Sequence, residues 1–220
     1  MATVRKMSNV AVAMQSALGA VKTITAISKA APGVVTATHD FANGDFVVMN
    51  VLGMYQLNGR VFRVCNVSTT VSFQLEDVSG GTGISTVGFD TFSSGTCQKI
   101  TFGTSITTVA NIDSTGGEFG YEDTTVIHGN QKTQIPGVAE PLSFKMDHLW
   151  DITDAGQIAM KNASDAQSQL AFKFTYGVGG VIQVFTGYVG YTGSPKGEAQ
   201  GVIKSSATIT AFGTPTYYSA

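Results

Sequence analysis

Apolar and polar residues alternate along most of this chain in short runs, which is the pattern of β-strands that bury one face. Between residues 21 and 99, turn signals such as Asn43-Gly44-Asp45 and Leu57-Asn58-Gly59 interrupt the runs about every ten residues. Many short strands at such spacing indicate a small all-β barrel or sandwich. The strands predicted here cover residues 22–27, 33–37, 46–49, 61–64 and 70–75.

The N-terminal apolar stretch, residues 10–18, fits either a strand or a helix by its periodicity. The alternation of Val and Ala and the lack of a capping residue favour a strand. Arg5 and Lys6 precede this stretch, as positive residues precede the apolar part of a signal peptide. Because Gln15 and Ser16 interrupt it, we expect no cleaved signal, and we find no apolar run of transmembrane length.

A long loop is predicted from Asp113 to about Ala139, with several glycines along it. A Thr-rich strand over residues 100–112 precedes it, and a strand over residues 142–146 follows it. Loops of this length are uncommon inside compact domains and are usually functional or disordered. We therefore treat this loop as a candidate functional segment.

One helix is predicted, over residues 151–163, with Asp151 or Thr153 as its N-cap. Apolar residues recur along it at helical spacing and predict the face that packs on the core. These residues are Ile152, Ala155, Ile158, Ala159 and Ala163. Trp150, directly before the helix, is expected to anchor it on a sheet.

The clearest β pattern lies near the end of the chain. Residues 170–176 place Leu, Phe, Phe and Tyr at alternate positions, and residues 181–189 return as the partner strand of a hairpin. The glycines within residues 177–180 make the turn between them. A polar loop over residues 193–198 then leads to a last strand over residues 202–212.

Charged residues make up only 13% of the chain, against about 25% in ordinary soluble domains. Two interpretations of this low charge carry equal weight. Either much of the surface is covered by other protein, as in an assembly subunit, or the strands are simply rich in Thr, Ser and Gly. The formal net charge is −2 and no basic run stands out, so a surface that grips nucleic acid is not expected. A nearly neutral wall still lets DNA pass without holding it.

The residues with reactive side chains predict structural roles. Cys65 and Cys97 lie in strand-like sequence and are expected to be small buried hydrophobes rather than a disulfide. His39 lies near a turn and is expected to hydrogen-bond in the core, because no nucleophile or oxyanion site accompanies it. Arg60 and Arg63 are expected to form ion pairs with Asp45, Glu76 or Asp77. No catalytic, cofactor or metal site is predicted.

The C-terminal half carries an ordered series of motifs. A strand containing Leu142-Ser143-Phe144 precedes the helix with Ala155-Gly156-Gln157, and the hairpin contains Phe185-Thr186-Gly187-Tyr188-Val189 before the chain reaches Gly213-Thr214-Pro215. The hairpin motif is similar to a Phe-x-Gly-aromatic-Val signature, and the whole series, over about residues 99–220, resembles the tail tube proteins of lambda-like siphophages. The resemblance implies a mainly β fold, a tail-tube β-sandwich or barrel with one α-helix.

A different series occupies residues 22–98. It includes Ile27-Ser28-Lys29-Ala30, the turn at Asn43, and Leu57-Asn58-Gly59-Arg60 followed by Phe62 and Val64. This series resembles a small β-barrel module first named for the FCCH domain of ubiquitin-activating enzymes, which phage virion proteins also carry. It implies no ubiquitin chemistry, because neither cysteine lies in an adenylating or thioester context.

The two resemblances together predict a division of the chain. Residues 1–21 and 99–220 form a discontinuous tail tube domain, and residues 22–98 form a small all-β domain inserted after the first tube strand. The insert is expected to point outward.

The family resemblance implies an architectural function. Family members form hexameric rings whose sheets join edge to edge, and the stacked rings make a tube whose lumen conducts phage DNA during ejection. The implied partners are further copies of the chain, the tape measure, tail terminator and tail tip proteins, and DNA that passes without sequence-specific binding. No membrane partner and no cofactor are implied. The implied location is the virion tail, assembled in the cytoplasm of the host bacterium.

The candidate site within the long loop is an acidic cluster that we interpret as a ring-stacking contact. It consists of Glu118, Tyr121, Glu122 and Asp123, with Lys132 as a charge partner. A solvated loop is the simpler alternative, and a general acid–base pair is a distant one.

The competing functional hypothesis is a virion surface protein whose inserted β-domain binds host glycans. An enzyme ranks third.

Overall fold

The computed structural model of this protein describes residues 8–177 and 179–219. Strands make up 52% of the residues, so the expected mainly β class is confirmed. In chain order the elements are β1 (Val10–Met14), β2 (Ala17–Leu18), β3 (Lys22–Ile27), β4 (Val34–Ala37), β5 (Phe46–Leu52), β6 (Val61–Ser68), β7 (Ser72–Leu75), β8 (Ser94–Thr101), β9 (Thr104–Ile106), β10 (Val109–Thr115), β11 (Phe119–Asp123), β12 (Gln134–Ala139), β13 (Ser143–Leu149), α1 (Ala155–Asp165), β14 (Gln169–Tyr176), β15 (Val181–Tyr191) and β16 (Lys204–Tyr218). Arg5 and Lys6, considered above as part of a signal peptide, lie outside the described residues.

Six strands close into a barrel. Strand β8 pairs with β3 on one side and with β5 on the other, which joins the two ends of the row β3-β4-β7-β6-β5. Alternate residues point inward, as in β5, where Val47, Met49 and Val51 are buried while Asn50 and Leu52 are exposed. The inward residues form a core drawn from residues 24–97. A small all-β unit here is confirmed, and its likeness to the FCCH module stays a prediction.

The second large sheet, here called sheet A, is antiparallel with the order β10-β13-β16-β15-β14-β1-β9. Strands β14 and β15 form the predicted hairpin, with Phe172 opposite Phe185. Strand β1 pairs with β14 and β9, which confirms the strand interpretation of the N-terminal stretch. One face of sheet A buries an aromatic core in which the ring centroids of Phe144 and Phe185 lie 4.8 Å apart.

The helix begins later than predicted. Strand β13 leads through a short turn into α1, and the N-cap is Asp154, whose Oδ1 accepts the backbone N–H of Gln157 at 2.8 Å. Asp151 instead accepts the backbone N–H of Thr153 at 2.8 Å, so it organises the turn before the helix. The predicted caps Asp151 and Thr153 are therefore wrong, because their side chain and backbone groups bond with each other.

The packed face of α1 also differs from the prediction. Its buried residues are Gly156, Gln157, Met160 and Ala163. Of the predicted stripe, Ala163 is buried and Ala159 half-buried, whereas Ile152, Ala155 and Ile158 are exposed. The reason is Gly156, where an added Cβ would lie 2.8 Å from the Ser105 carbonyl oxygen. This close approach of α1 to β9 decides which face of the helix turns inward.

The segment between β8 and β13 is more regular than predicted. Strands β8, β9 and β10 divide the predicted strand over residues 100–112 into three, and β10 continues to Thr115. The predicted loop from Asp113 to Ala139 contains a two-stranded hairpin, β11–β12, instead of irregular chain. The prediction of a plain loop was wrong, because strong local alternation is absent where both faces of a strand are exposed. The prediction of one strand was wrong, because β8, β9 and β10 pair with different strands: β8 in the barrel, β9 with β1 and β10 with β13.

The last strand continues six residues past its predicted end at Phe212, to Tyr218. Its pairing with β15 shifts register after Phe212, and Gly213 adopts a positive φ of 76° at the shift. Residues 216–218 stay paired with β15 beyond this bend, and there the strand packs against the barrel.

The end of β16 joins sheet A to the barrel. A small shared core there contains Val61 and Ile100 of the barrel and Val184 and Tyr218 of sheet A. The Tyr218 hydroxyl accepts the backbone N–H of Arg63 at 2.9 Å. Further bonds cross the junction: the Thr186 hydroxyl donates to the Gly59 carbonyl at 2.7 Å, and Arg60 Nε donates to the Thr214 carbonyl at 3.2 Å.

Arg63 and Glu76 form the predicted ion pair beside this junction, with Nη2 and Oε1 3.0 Å apart. Burial raises the pKa of Glu76, but hydrogen bonds from Arg63 and from the Gly81 backbone outweigh it, so the pKa lies below its ordinary value. Arg60 makes no such pair with Asp45, Glu76 or Asp77 and donates to backbone carbonyls instead. Its predicted ion pair is therefore wrong, because the Gln56 and Thr214 carbonyls lie within its reach.

The two cysteines are buried free thiols, as expected. Burial raises the pKa of Cys65 to about 11 and that of Cys97 to about 12. His39 is buried too: its Nδ1 accepts the Phe41 backbone N–H at 3.1 Å and its Nε2 lies 3.1 Å from the Ser72 carbonyl. In the described part of the chain, no helix combines the length and apolarity of a membrane crossing.

A buried polar cluster lies beneath α1. The Tyr191 hydroxyl donates to Gln157 Oε1 at 2.8 Å and lies 3.0 Å from Ser205 Oγ. His148 is fully buried, with its Nδ1 3.4 Å from Thr108 Oγ1. Its Nε2 has no hydrogen-bond partner among the described residues. The imidazole is therefore suited to its neutral form.

Replacing Tyr218 is predicted to test the junction. Tyr218→Ala is expected to lower the free energy of unfolding by about 3–5 kcal/mol, because it removes a fully packed aromatic ring. Tyr218→Phe keeps the ring and is expected to cost only about 1 kcal/mol for the lost hydrogen bond. Denaturant unfolding measures both, and equal losses for the two variants would contradict the packing role of the ring.

The buried imidazole predicts a dependence of stability on pH. Burial lowers the pKa of His148, although Asp147 and Asp154 oppose the shift. The unfolded chain therefore takes up a proton at higher pH than the folded one. The free energy of unfolding should fall as pH drops below about 6.5, by at most about 1.4 kcal/mol per pH unit from this group. His148→Leu should remove this component, while His128→Gln, on the exposed hairpin, should keep it; equal slopes for both variants would refute the assignment.

Candidate assembly surfaces

Sheet A has two open edges in the described chain. Strand β10 pairs with β13 alone and strand β9 with β1 alone, so the outer flank of each carries unpaired backbone N–H and C=O groups. The side chains of β10 are exposed or half-buried along its whole length. Open edges of this kind pair readily with a strand from another chain. The barrel, in contrast, is closed and presents no such edge within its ring of six strands.

The face of sheet A that turns away from α1 is polar beside the β10 edge. On β13 and β16 the outward positions hold Lys145, Asp147 and Thr208. Asp147 accepts a hydrogen bond from Lys196 Nζ at 2.7 Å, and this bond, with one from Ser206, lowers the pKa of Asp147. Charges of both signs meet here, so the face has little net charge.

The β11–β12 hairpin connects the end of β10 to the start of β13 and carries the predicted acidic cluster. Tyr121, Glu122 and Asp123 lie on β11, and Glu118 lies directly before it; all are exposed. Glu122 and Asp123 are neighbours in a strand, so their side chains leave opposite faces of the hairpin. Among the described residues Lys132 forms an ion pair with Asp123, with Nζ 4.0 Å from Oδ2. The hairpin therefore brings the five residues together on one arm but not into one group of charges.

Asp123 is held by hydrogen bonds within the arm. Its carboxylate accepts the Thr125 backbone N–H at 2.8 Å, and hydrogen bonds from the Thr125 side chain and backbone lower the pKa of Asp123. This turn starts the tip of the hairpin, residues 124–133.

Exposed apolar residues on the hairpin were missed by the sequence analysis. Ile127 at the tip is 99% exposed and Val138 on β12 is 90% exposed. Phe119, Tyr121 and Ile135 are more than half exposed as well. A cluster of exposed apolar side chains marks an interaction surface. The sequence does contain a sign of this apolar surface, because branched apolar residues stand between the glycines of the predicted loop.

The base of the hairpin is held firmly. Gly116 has a positive φ of 85°, and a Cβ there would lie 2.3 Å from the Pro141 carbonyl oxygen, so the two legs approach closely. The Gly117 N–H donates to the Glu140 carbonyl at 3.0 Å, and the Glu140 N–H donates to the Glu118 carbonyl at 2.9 Å. The hairpin is thus a defined arm and not a loose loop.

Comparison with known proteins identifies a family. A family model described as phage tail tube protein, TTP, matches residues 53–220, which is more than half of the chain. The match begins inside the barrel and includes the hairpin arm and all of sheet A except β1. A search of curated proteins found no match.

Ile127→Ser is predicted to weaken self-association without changing the fold. The side chain is 99% exposed, so the melting temperature should stay the same. Its burial between copies would contribute about 1.5–3 kcal/mol, so each contact should weaken roughly 10- to 100-fold. Sedimentation velocity measures the loss; Tyr55→Ser, on the barrel surface, is the matched control. An unchanged size distribution for Ile127→Ser would contradict a role in association.

Proposed function

This chain belongs to the phage tail tube protein family, and we propose on that premise that its copies form stacked hexameric rings whose lumen conducts phage DNA during ejection. The family is structural and not catalytic, which confirms the expectation that the chain is no enzyme. Its role is that of a structural protein of the phage tail, where it assembles with itself and other tail proteins. The observation that supports hexameric rings is that sheet A has two open edges in the described part of the chain.

Ring closure uses these edges. Strand β10 of one copy pairs with the β9 side of the next, which satisfies the backbone groups that each copy leaves open. Such a contact joins two different surfaces, and rotation by one sixth of a turn closes it into a ring. Support also comes from the low share of charged residues, 13%, which suits a subunit with much of its surface in interfaces.

Ring stacking uses the β11–β12 arm. Its exposed apolar tip and its acidic residues, Glu118, Glu122 and Asp123, are free to contact a neighbouring ring. The net charge of −2 and the paired charges on sheet A suit a lumen that DNA crosses without being held. The tape measure, tail terminator and tail tip proteins are the further proposed partners, in a siphophage tail assembled in the host cytoplasm.

The domain division is part of the proposal. Residues 1–21 and 99–220 form the tube domain, and residues 22–98 form an inserted barrel that points outward. The separation of the two main cores supports it, since one is drawn from residues 24–97 and the other from residues 12–14 and 106–211. Binding of host glycans by the barrel stays a prediction.

Negative-stain microscopy of the purified protein tests the proposal. We expect rings or tubes of one width, with six-fold symmetry in end views. A protein that stays monomeric at high concentration, with or without a tail initiator complex, would overturn it.

The stacking role of the acidic residues gives a separate prediction. The triple variant Glu118→Gln, Glu122→Gln, Asp123→Asn should shorten tubes while rings still close, because the changes touch the arm and leave the sheet edges intact. Tube lengths measured on micrographs check this, with Glu198→Gln in an exposed loop as control. Unchanged lengths would contradict a stacking role for these carboxylates.

A further inference from the structure

An apolar groove lies between the start of α1 and the end of β15. It has a volume of about 260 Å³, and Trp150, Ile152 and Ile158 form its apolar wall. The indole N–H of Trp150 donates to the Gly193 carbonyl at 3.0 Å and closes one side. Ile152 is 72% exposed. Small-molecule pockets usually measure about 300–1,000 Å³, so this groove suits one or two side chains better than a ligand.

The hairpin tip carries side chains that match this groove. Val126 and Ile127 are adjacent, apolar and exposed. Because Ile127 is almost entirely exposed, the tip does not occupy the groove of its own chain. Groove and tip both lose unfavourable contact with water if one covers the other.

The groove and the arm lie at opposite ends of sheet A. Thr115, where the first leg of the arm begins, pairs with Ser143, where the second leg returns. Strand β13 then runs its seven residues to Leu149, next to Trp150 of the groove. Seven residues of strand span about 20 Å. Copies stacked along the strand direction therefore bring the arm of one towards the groove of the next.

We propose that the groove formed by Trp150, Ile152 and Ile158 holds the hairpin tip, Val126 and Ile127, of a copy in the adjacent ring. This inference rests on the proposed tube function and names the surface that receives the arm. The contact joins unlike surfaces in a head-to-tail manner, so it repeats without closing, as a stack of rings requires.

Cysteine cross-linking tests the contact. Ile127→Cys and Ile152→Cys variants are mixed, assembled and oxidised, and a covalent dimer of the two is expected on non-reducing gels. A chain with both changes should give a ladder. Cys65 and Cys97 interfere little, because both thiols are buried and their pKa values are raised to about 11 and 12.

Val138→Cys mixed with Ile152→Cys is the matched control, since Val138 is nearly as accessible as Ile127 but lies on a leg of the arm. It should give at least tenfold less dimer. Tubes that form without the 127–152 cross-link, or with equal yield for the control pair, overturn the groove assignment and leave the tube function standing. Failure to form any ring or tube overturns the tube function, and the groove contact with it.

A second variant avoids cysteine chemistry. Ile152→Asp places a charge in the groove wall at an exposed position, so the melting temperature should stay within a degree or two of the natural protein. Tubes should be several-fold shorter. Tubes of unchanged length overturn the proposal.

Discussion

The need to satisfy backbone hydrogen-bonding groups at strand edges governs this structure. The barrel meets the need within one chain, because β8 pairs on both sides and closes the ring. Sheet A does not, since β10 and β9 each keep an open flank in the described chain. In the ring that we propose, a neighbouring copy supplies the hydrogen bonds that these open edges lack.

The two parts of the chain are coupled, although each has its own core. The end of β16 shifts its register on β15 at Gly213 and, while still paired with β15, packs on the barrel, where Tyr218 is buried and hydrogen-bonded to the backbone of Arg63. The ion pair between Arg63 and Glu76 lies beside it. The barrel is therefore fixed on the sheet through the last strand of the chain. A barrel with such an attachment keeps one orientation relative to sheet A.

Sequence patterns predicted the elements whose two faces differ. The hairpin over residues 169–191 was evident because large apolar residues alternate with small or polar ones on a half-buried sheet. For the exposed arm the sequence predicts a loop, since strands without a buried face show no such alternation. The acidic residues of the arm were identified, whereas its apolar tip was not, because an isolated apolar pair in a predicted loop indicates exposure only once the fold is known.

The sequence by itself determined the mainly β class, the places of most strands, the structural roles of the cysteines and, through ordered motifs, the resemblance to tail tube proteins. Only the tertiary structure decided the face of α1, the course of β16 and the groove beside Trp150. Each of these depends on a contact between residues far apart in the chain: Gly156 against Ser105, Tyr218 against Arg63, and Trp150 against Gly193. Local periodicity reports which residues share a face of one element, and it carries no information on which distant element that face will meet.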